Sequence, residues 1–364
     1  MVTSAQQEFE QSLQTNIPLA PFTTLGIGGP AKYFAEIKNA GALSAGVEWA
    51  RAHSLPFFVL GGGSNIVVDD RGFAGLVLQV SITGVETCLE EGYAVLNAGA
   101  GENWDNLVAL TVSNNWEGFE CLSGIPGRVG ATPIQNVGAY GQEVSESLVS
   151  LEALDVAAGG LVELSASDCN FEYRSSRFKT RDLQRFIITS VKYRLVIDGP
   201  PAVRYPELQR HLSNLQNVTL QQVREAVLTI RRQKAMVIDP RDVDSRSVGS
   251  FFVNPVIDNK QYLALKDHLV MSGTDRDLPS FPAPDDGVKL SAAWLIEKAG
   301  IKRGYAYGNV GTSTKHALAI INRGGGTARE VVELKELIQQ RVFDSFGITL
   351  TPEPIFVGFE ESDE

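Results

Sequence analysis

The sequence predicts an α+β fold in more than one domain, on three observations. The 364 residues are 43% hydrophobic and 21% charged, the balance of a chain with a sizeable core and room for two or three domains. The N-terminal half alternates in the strand manner and is rich in glycine, while the C-terminal half carries longer helix-period segments. Between them the run Ile197-Asp198-Gly199-Pro200-Pro201 breaks the pattern, which places a boundary near residue 200.

Taken in order, the polar start MVTSAQQEFEQSLQ has neither a basic beginning nor an apolar stretch, so no secretory signal is expected. Residues 40–53 read as a helix. Phe57 to Leu60 read as a short buried strand running into glycines, and IVV resumes a strand. Asn103 to Trp116 can form an amphipathic helix, and SLVSLEALDV and RFIITSVKYRLV alternate as strands. Thr219 with Gln222 is a capping box before QQVREAVLTIRRQK. Thr327 with Glu330 opens a second helix, whose residues Val331, Leu334, Leu337, Ile338 and Val342 share one face and which Gly347 stops. The end, EESDE, reads as a frayed acidic tail.

Composition excludes several functions. The net charge of −11 repels nucleic acid, whose binding rests on Lys and Arg neutralising phosphates. No apolar run approaches the roughly 20 residues of a membrane helix. The three cysteines, Cys88, Cys121 and Cys169, are odd in number and widely spaced, which fits a reducing compartment. Together with the four histidines they show no metal-ligand spacing. A cytoplasmic protein without metal, membrane or nucleic-acid partner is expected.

Two glycine stretches stand out. In Leu60-Gly61-Gly62-Gly63-Ser64-Asn65, three consecutive glycines between strands can aim several N–H groups at one anion; a tight turn is the plain alternative. The dinucleotide fingerprint needs a helix next, whereas a strand follows. The second stretch runs from Gly118 to Gly141, with glycines at 124, 127, 130, 138 and 141 and prolines at 126 and 133. A loop of that length in a compact domain is usually functional, and it could wrap a large flat cofactor.

These stretches, with TTLGIGGPA, GAGENW, FEYRSSRFK, GSFFVNP and TPEPIFVG, closely resemble the UDP-N-acetylenolpyruvoylglucosamine reductase family, collinear over nearly the whole chain. Val253 stands where GSFFKNP has lysine, and Arg128 fills a variable slot. The resemblance implies an FAD-binding domain of the vanillyl-alcohol-oxidase type over 1–200, in two subdomains split near 80. A substrate-binding domain over 201–364 follows, its segment 348–360 returning to the active site. It implies non-covalent FAD, NADPH as co-substrate, a monomer, and reduction of UDP-N-acetylglucosamine enolpyruvate to UDP-N-acetylmuramate in peptidoglycan precursor synthesis. The flavin would be held by Gly61, Gly62, Gly63, Ser64, Asn65, Gly127, Gly130, Ala131, Gln135, Asn136, Gly138, Ala139, Tyr140 and Gly141.

By the same resemblance Arg174 meets the enolpyruvyl carboxylate and developing enolate, a task that suits a guanidinium because it is always charged and forks onto two oxygens. Ser250 matches the family proton donor, and Glu353 acts beside Arg174. Tyr205 and Lys234 match clamps on the UDP diphosphate; Asn254 and His316 are further carry-overs to the substrate. Arg231 and Arg232 are read as a solvated helix end whose cations suit the dipole. The rivals are a flavin oxidase of the same fold and a non-catalytic UDP-sugar binding module. Many such oxidases tether flavin to His or Cys, and neither occurs in 60–75 or 122–145; the set Arg174, Ser250 and Glu353 argues against the module.

Overall fold

A computed structural model of the chain describes residues 4–271, 278–284 and 286–359, so the acidic tail expected at 360–364 lies outside the described residues. The chain forms two compact units. The first runs to Pro18 and then takes Pro30–Gly63 and Gly72–Val237; the second takes Leu19–Gly29, Ser64–Arg71 and the chain from Ile238 onward.

In the first unit, helices α1 (Ser4–Ser12) and α2 (Ala40–Ala52) accompany a four-stranded sheet. Its order is Gln14–Pro18, Pro30–Ile37, Phe73–Val80, Phe57–Leu60. The last three are parallel to one another, and the central strand holds Leu76, Val77 and Leu78 at 0% exposure, as parallel strands covered on their faces do. Asn39 caps α2 by accepting from the Ala42 amide at 2.8 Å.

The second sheet is antiparallel, in the order Gly160–Ser165, Leu148–Asp155, Phe186–Ile197, Tyr93–Gly99, Val85–Glu90. The helix expected from Asn103 to Trp116 is α3 (Trp104–Ser113), with Asn103 as its N-cap. It ends early because Asn115 adopts the left-handed conformation (φ +56°), which asparagine tolerates better than most residues, and Trp116 then pairs with Ile197 as a strand. Tyr193 meets Phe119 and Trp104 edge on, with centroids 5.0 and 6.1 Å apart.

The first unit continues past residue 200. Helices α4 (Pro206–Leu212) and α5 (Leu220–Gln233) bury Leu208, Leu212, Val223, Ala226, Val227 and Ile230 with Cys121. Thr219 and Gln222 form both halves of the capping box.

In the second unit, α6 (Asn259–Met271), α7 (Ala292–Lys298) and α8 (Ala328–Phe346) surround two small antiparallel sheets. Helix α8 buries Val331, Leu334, Ile338 and Val342; Leu337 is half-buried. Its Thr327–Glu330 box is formed and Gly347 ends it at φ +66°. Ile66–Val68 pairs in parallel with Ile355–Val357, which draws this N-terminal segment into the unit built from the C-terminal half. Among the described residues no helix is long and apolar enough to cross a membrane.

Candidate active site

The two glycine stretches meet inside the first unit. A Cβ at Gly62 would lie 2.7 Å from the Gly127 Cα, so glycine alone lets these backbones approach. Gly61 faces Ala131 and Arg128, and Gly130 is pressed onto Ala100. Among the described residues the amides of Gly62, Gly127 and Arg128 donate to no protein acceptor. Amides left over by two facing glycine loops are what a pyrophosphate requires, so the residues present fit a dinucleotide cofactor. Asp105 braces this loop: it accepts from the Gly124 amide at 2.6 Å and from both Arg224 nitrogens at 2.6 and 2.9 Å. Burial works to raise the Asp105 pKa, yet the Arg224 fork and the Gly124 amide hold it below the usual carboxylate value.

The end of the second stretch is a hairpin. Gly138–Ala139 pairs with Gln142–Glu143, and the two-residue turn has Tyr140 at φ +51° and Gly141 at φ +83°, the pattern of a type I′ turn. Gly138 itself is a strand residue without positive φ. It is glycine for lack of room, since a Cβ would sit 2.8 Å from the Glu143 Cγ. Just after Gln135, the Asn136 side chain donates to Glu143 Oε2 at 2.6 Å and to Glu172 O at 3.1 Å, and accepts from the Ser145 amide. That side chain braces the hairpin.

Arg174 occupies the tip of a second tight turn, in which Glu172 and Ser175 exchange backbone hydrogen bonds of 3.1 Å. Its φ of +54° is strained for a side chain of this size, at roughly 1–3 kcal/mol, and such strain clusters at functional sites. The guanidinium donates to Gly138 O and Asn136 O, which ties Arg174 to the Gly138–Gly141 hairpin.

At that hairpin's tip, Tyr140 packs edge-to-face on Tyr205, centroids 5.6 Å apart. Tyr205 is the N-cap position of α4, and Lys234 is the C-cap of α5. Lys234 Nζ lies 2.6 Å from Glu207 Oε2. Burial pushes the Tyr140 phenol up to about 12 and raises Tyr205 as well, helped there by the Glu207 charge. Both phenols are therefore neutral donors at physiological pH.

Arg231 departs from the solvated helix end expected of it. Its Nη2 donates to Gly124 O at 3.3 Å and Met236 O at 2.7 Å. Its Nε is enclosed and lacks a partner among the described residues, and burial lowers its pKa. The signal was present in the sequence: Arg231 lies four residues after the buried Val227 and so shares the inward face of α5. Glu207 also went unread; Glu at the first turn of a short helix is unremarkable until Lys234 is placed beside it.

In the second unit the segment after Ser250 pairs with the TPEP segment. The Glu353 amide donates to Phe251 O at 2.9 Å, and the Val253 amide to Thr351 O at 3.0 Å. Asn65 Nδ2 donates to Glu353 O at 3.2 Å, and the Ile355 amide to Asn65 O. The segment that follows Ser250, the segment that carries Glu353, and Asn65 are thus brought together. Phe251 and Phe252, both buried, anchor the strip, and Ser250 stays half-buried. Asn254 is committed elsewhere: its Oδ1 accepts from the Ala292 amide at 3.0 Å, at the start of α7. His316 lies in the turn that returns to Ala319, its own amide donating to Ser313 Oγ at 3.3 Å.

Comparison with known proteins places the chain. A family model for an FAD-binding domain matches residues 31–165, and a model for the C-terminal domain of UDP-N-acetylenolpyruvoylglucosamine reductase matches residues 239–357. The chain is similar to the UDP-N-acetylenolpyruvoylglucosamine reductase of Thermobifida fusca, at 45% identity over 95% of this chain and 98% of that protein. It is similar to that of Streptomyces coelicolor at 42% identity, over 94% and 89%. The crystal structure of a UDP-N-acetylenolpyruvylglucosamine reductase from Thermus caldophilus shares the fold, with a TM-score of 0.62 at 23% identity over 95% of this chain and 98% of that one. With an FAD-binding domain, that C-terminal domain and relatives of this identity along its length, the chain belongs to the UDP-N-acetylenolpyruvoylglucosamine reductase family and is an FAD-dependent oxidoreductase.

Proposed function

We propose that the protein reduces UDP-N-acetylglucosamine enolpyruvate to UDP-N-acetylmuramate with NADPH as donor, in the cytoplasm and as a monomer. The observation that carries this reading is the backbone pairing of residues 251–253 with 351–353, which joins the segment that follows Ser250 to the segment that carries Glu353.

FAD, when bound, would supply the redox chemistry that links NADPH oxidation to reduction of the enolpyruvyl group. Gly61, Gly62, Gly63, Gly127, Gly130 and Ala131 would hold it by backbone approach, with Ser64 and Asn65 continuing the same loop; Gln135, Asn136, Gly138, Ala139, Tyr140 and Gly141 complete the set. Arg174 neutralises the substrate carboxylate and the charge that moves toward it as hydride arrives. Ser250 holds the proton destined for the carbon next to that carboxylate. A hydroxyl is a weak acid, so this works only where the proton leaves toward a strongly basic carbon and is replaced from solvent. Glu353 supports the same enolate, and Tyr205 and Lys234 hold the diphosphate. For Asn254 and His316 we assign a supporting place around the sugar nucleotide; the bond from Ala292 gives Asn254 the task of holding that loop in shape.

Double mixing tests the proposal. Flavin reduced anaerobically with one equivalent of NADPH is mixed with the enolpyruvyl UDP-sugar, and absorbance follows reoxidation. Rapid reoxidation with formation of UDP-N-acetylmuramate is expected. Flavin that reoxidises only when oxygen is admitted would assign an oxidase instead.

A further inference from the structure

We propose that Glu207 is a built-in competitor for the nucleoside diphosphate and so sets the affinity of the site for that class of ligand. This rests on the reading of Lys234 and Tyr205 as diphosphate contacts. The Glu207 carboxylate lies 2.6 Å from the Lys234 ammonium, and the two side chains are 32% and 34% exposed. The pair is therefore open to solutes and held by no deep burial. Glu207 stands in the first turn of α4, two residues after Tyr205, with Pro206 between them at the start of the helix. Its charge also acts on the Tyr205 phenol, raising that group's pKa after burial. One carboxylate thus faces both groups assigned to the diphosphate.

The chemistry follows from what an ammonium can do. It is a compact point charge with three donors, and a carboxylate oxygen and a phosphate oxygen make the same kind of contact with it. Before ligand arrives, Glu207 satisfies Lys234. When a diphosphate arrives, it either displaces that carboxylate or shares the ammonium with a like charge beside it. Both routes subtract from affinity. A diphosphate, with more than one negative charge, outcompetes a single carboxylate where a neutral sugar cannot, so the contact also selects for the charged ligand.

The test uses the FAD-loaded full chain and UDP as the probe, titrated by calorimetry. The variants are Glu207→Gln, Lys234→Ala and the double change, each checked by thermal melting. Glu207→Gln keeps the side-chain shape and is expected to tighten UDP about two- to five-fold, the scale of a half-exposed ion pair. Lys234→Ala weakens UDP, and in that background Glu207→Gln has no further effect, because the two residues are coupled. Glu207→Asp, charged but shorter, falls between wild type and Gln. If Glu207→Gln leaves UDP binding unchanged or weakens it while Lys234→Ala weakens it, the carboxylate orients Lys234 and the competitor proposal is overturned alone. If Lys234→Ala does not affect UDP, the diphosphate reading falls and this one with it.

Discussion

Gly62 offers a direct test of the cofactor cradle, because its requirement for glycine is purely one of space. Its φ is not positive, so alanine suits the backbone there. The added Cβ, however, would stand 2.7 Å from the Gly127 Cα and 3.1 Å from its carbonyl carbon. Carbon atoms rest at about 3.5–4.0 Å, so the two loops must part by roughly 1 Å. Neither clashing atom is the end of a flexible side chain, which leaves backbone movement as the only relief. Forcing a methyl into packed structure costs about 1–3 kcal/mol. If the loops hold FAD, that cost appears as an FAD dissociation constant raised about 5- to 150-fold. Fluorescence of released FAD on dilution measures it. Gly160→Ala is the control, since nothing lies within 4 Å of a Cβ there and its φ is not positive. A Gly62→Ala protein with wild-type FAD affinity would refute the cradle.

Three further outcomes are expected. Ser250→Ala should slow reoxidation of reduced flavin by the enolpyruvyl substrate by about 100-fold or more, with flavin reduction by NADPH near wild type; loss of both half-reactions would make Ser250 a structural residue. Tyr205→Phe and Lys234→Ala should raise the KM for the UDP-sugar more than they lower kcat, because diphosphate contacts are similar in ground and transition states; a fall in kcat alone would contradict that role. Glu117 is raised to about 6 by burial first and by the neighbouring Glu120 charge next. A carboxylate whose folded pKa lies above its unfolded value binds more protons when folded. It therefore favours folding below about pH 4.5, and that advantage is lost as pH rises through 6. Glu117→Gln should thus raise Tm at pH 7.5, by at most about 1 kcal/mol of stability after solvent screening, and the gain should vanish near pH 4.5; a gain that did not change with pH would remove the titration from the explanation.

Local chemistry was legible and long-range exchange was not. Thr219 with Gln222, Thr327 with Glu330, and Gly347 each act within a turn of their own position, and each does in the fold what its spacing predicts. The boundary near residue 200 reads a genuine break in pattern, yet the first unit runs on to Val237. Helices α4 and α5 find their apolar partner at Cys121, about a hundred positions earlier, which no local window contains. The placement of Ser64–Arg71 in the second unit was equally hidden, because it depends on Ile66–Val68 pairing with Ile355–Val357; Leu19–Gly29 joins the same unit through the bonds of Leu25 O with Asn322 and of Thr24 with Ser247 O.

The glycines show why even the legible portion of the site was incomplete. A glycine demanded by positive φ, as at Gly141, and one demanded by crowding, as at Gly62 and Gly138, are written with the same letter. A sequence can mark such positions without saying which demand acts, and the two call for different substitutions. The run Gly61-Gly62-Gly63-Ser64-Asn65 carries this further, because its residues serve different units. Gly62 meets Gly127 within the first unit, and three positions later Asn65 meets Glu353 within the second. Five consecutive residues therefore answer to two sets of partners, each more than sixty positions away. Small side chains are the common solution to both demands, which is why the run reads as one motif in sequence while it performs two tasks in the fold.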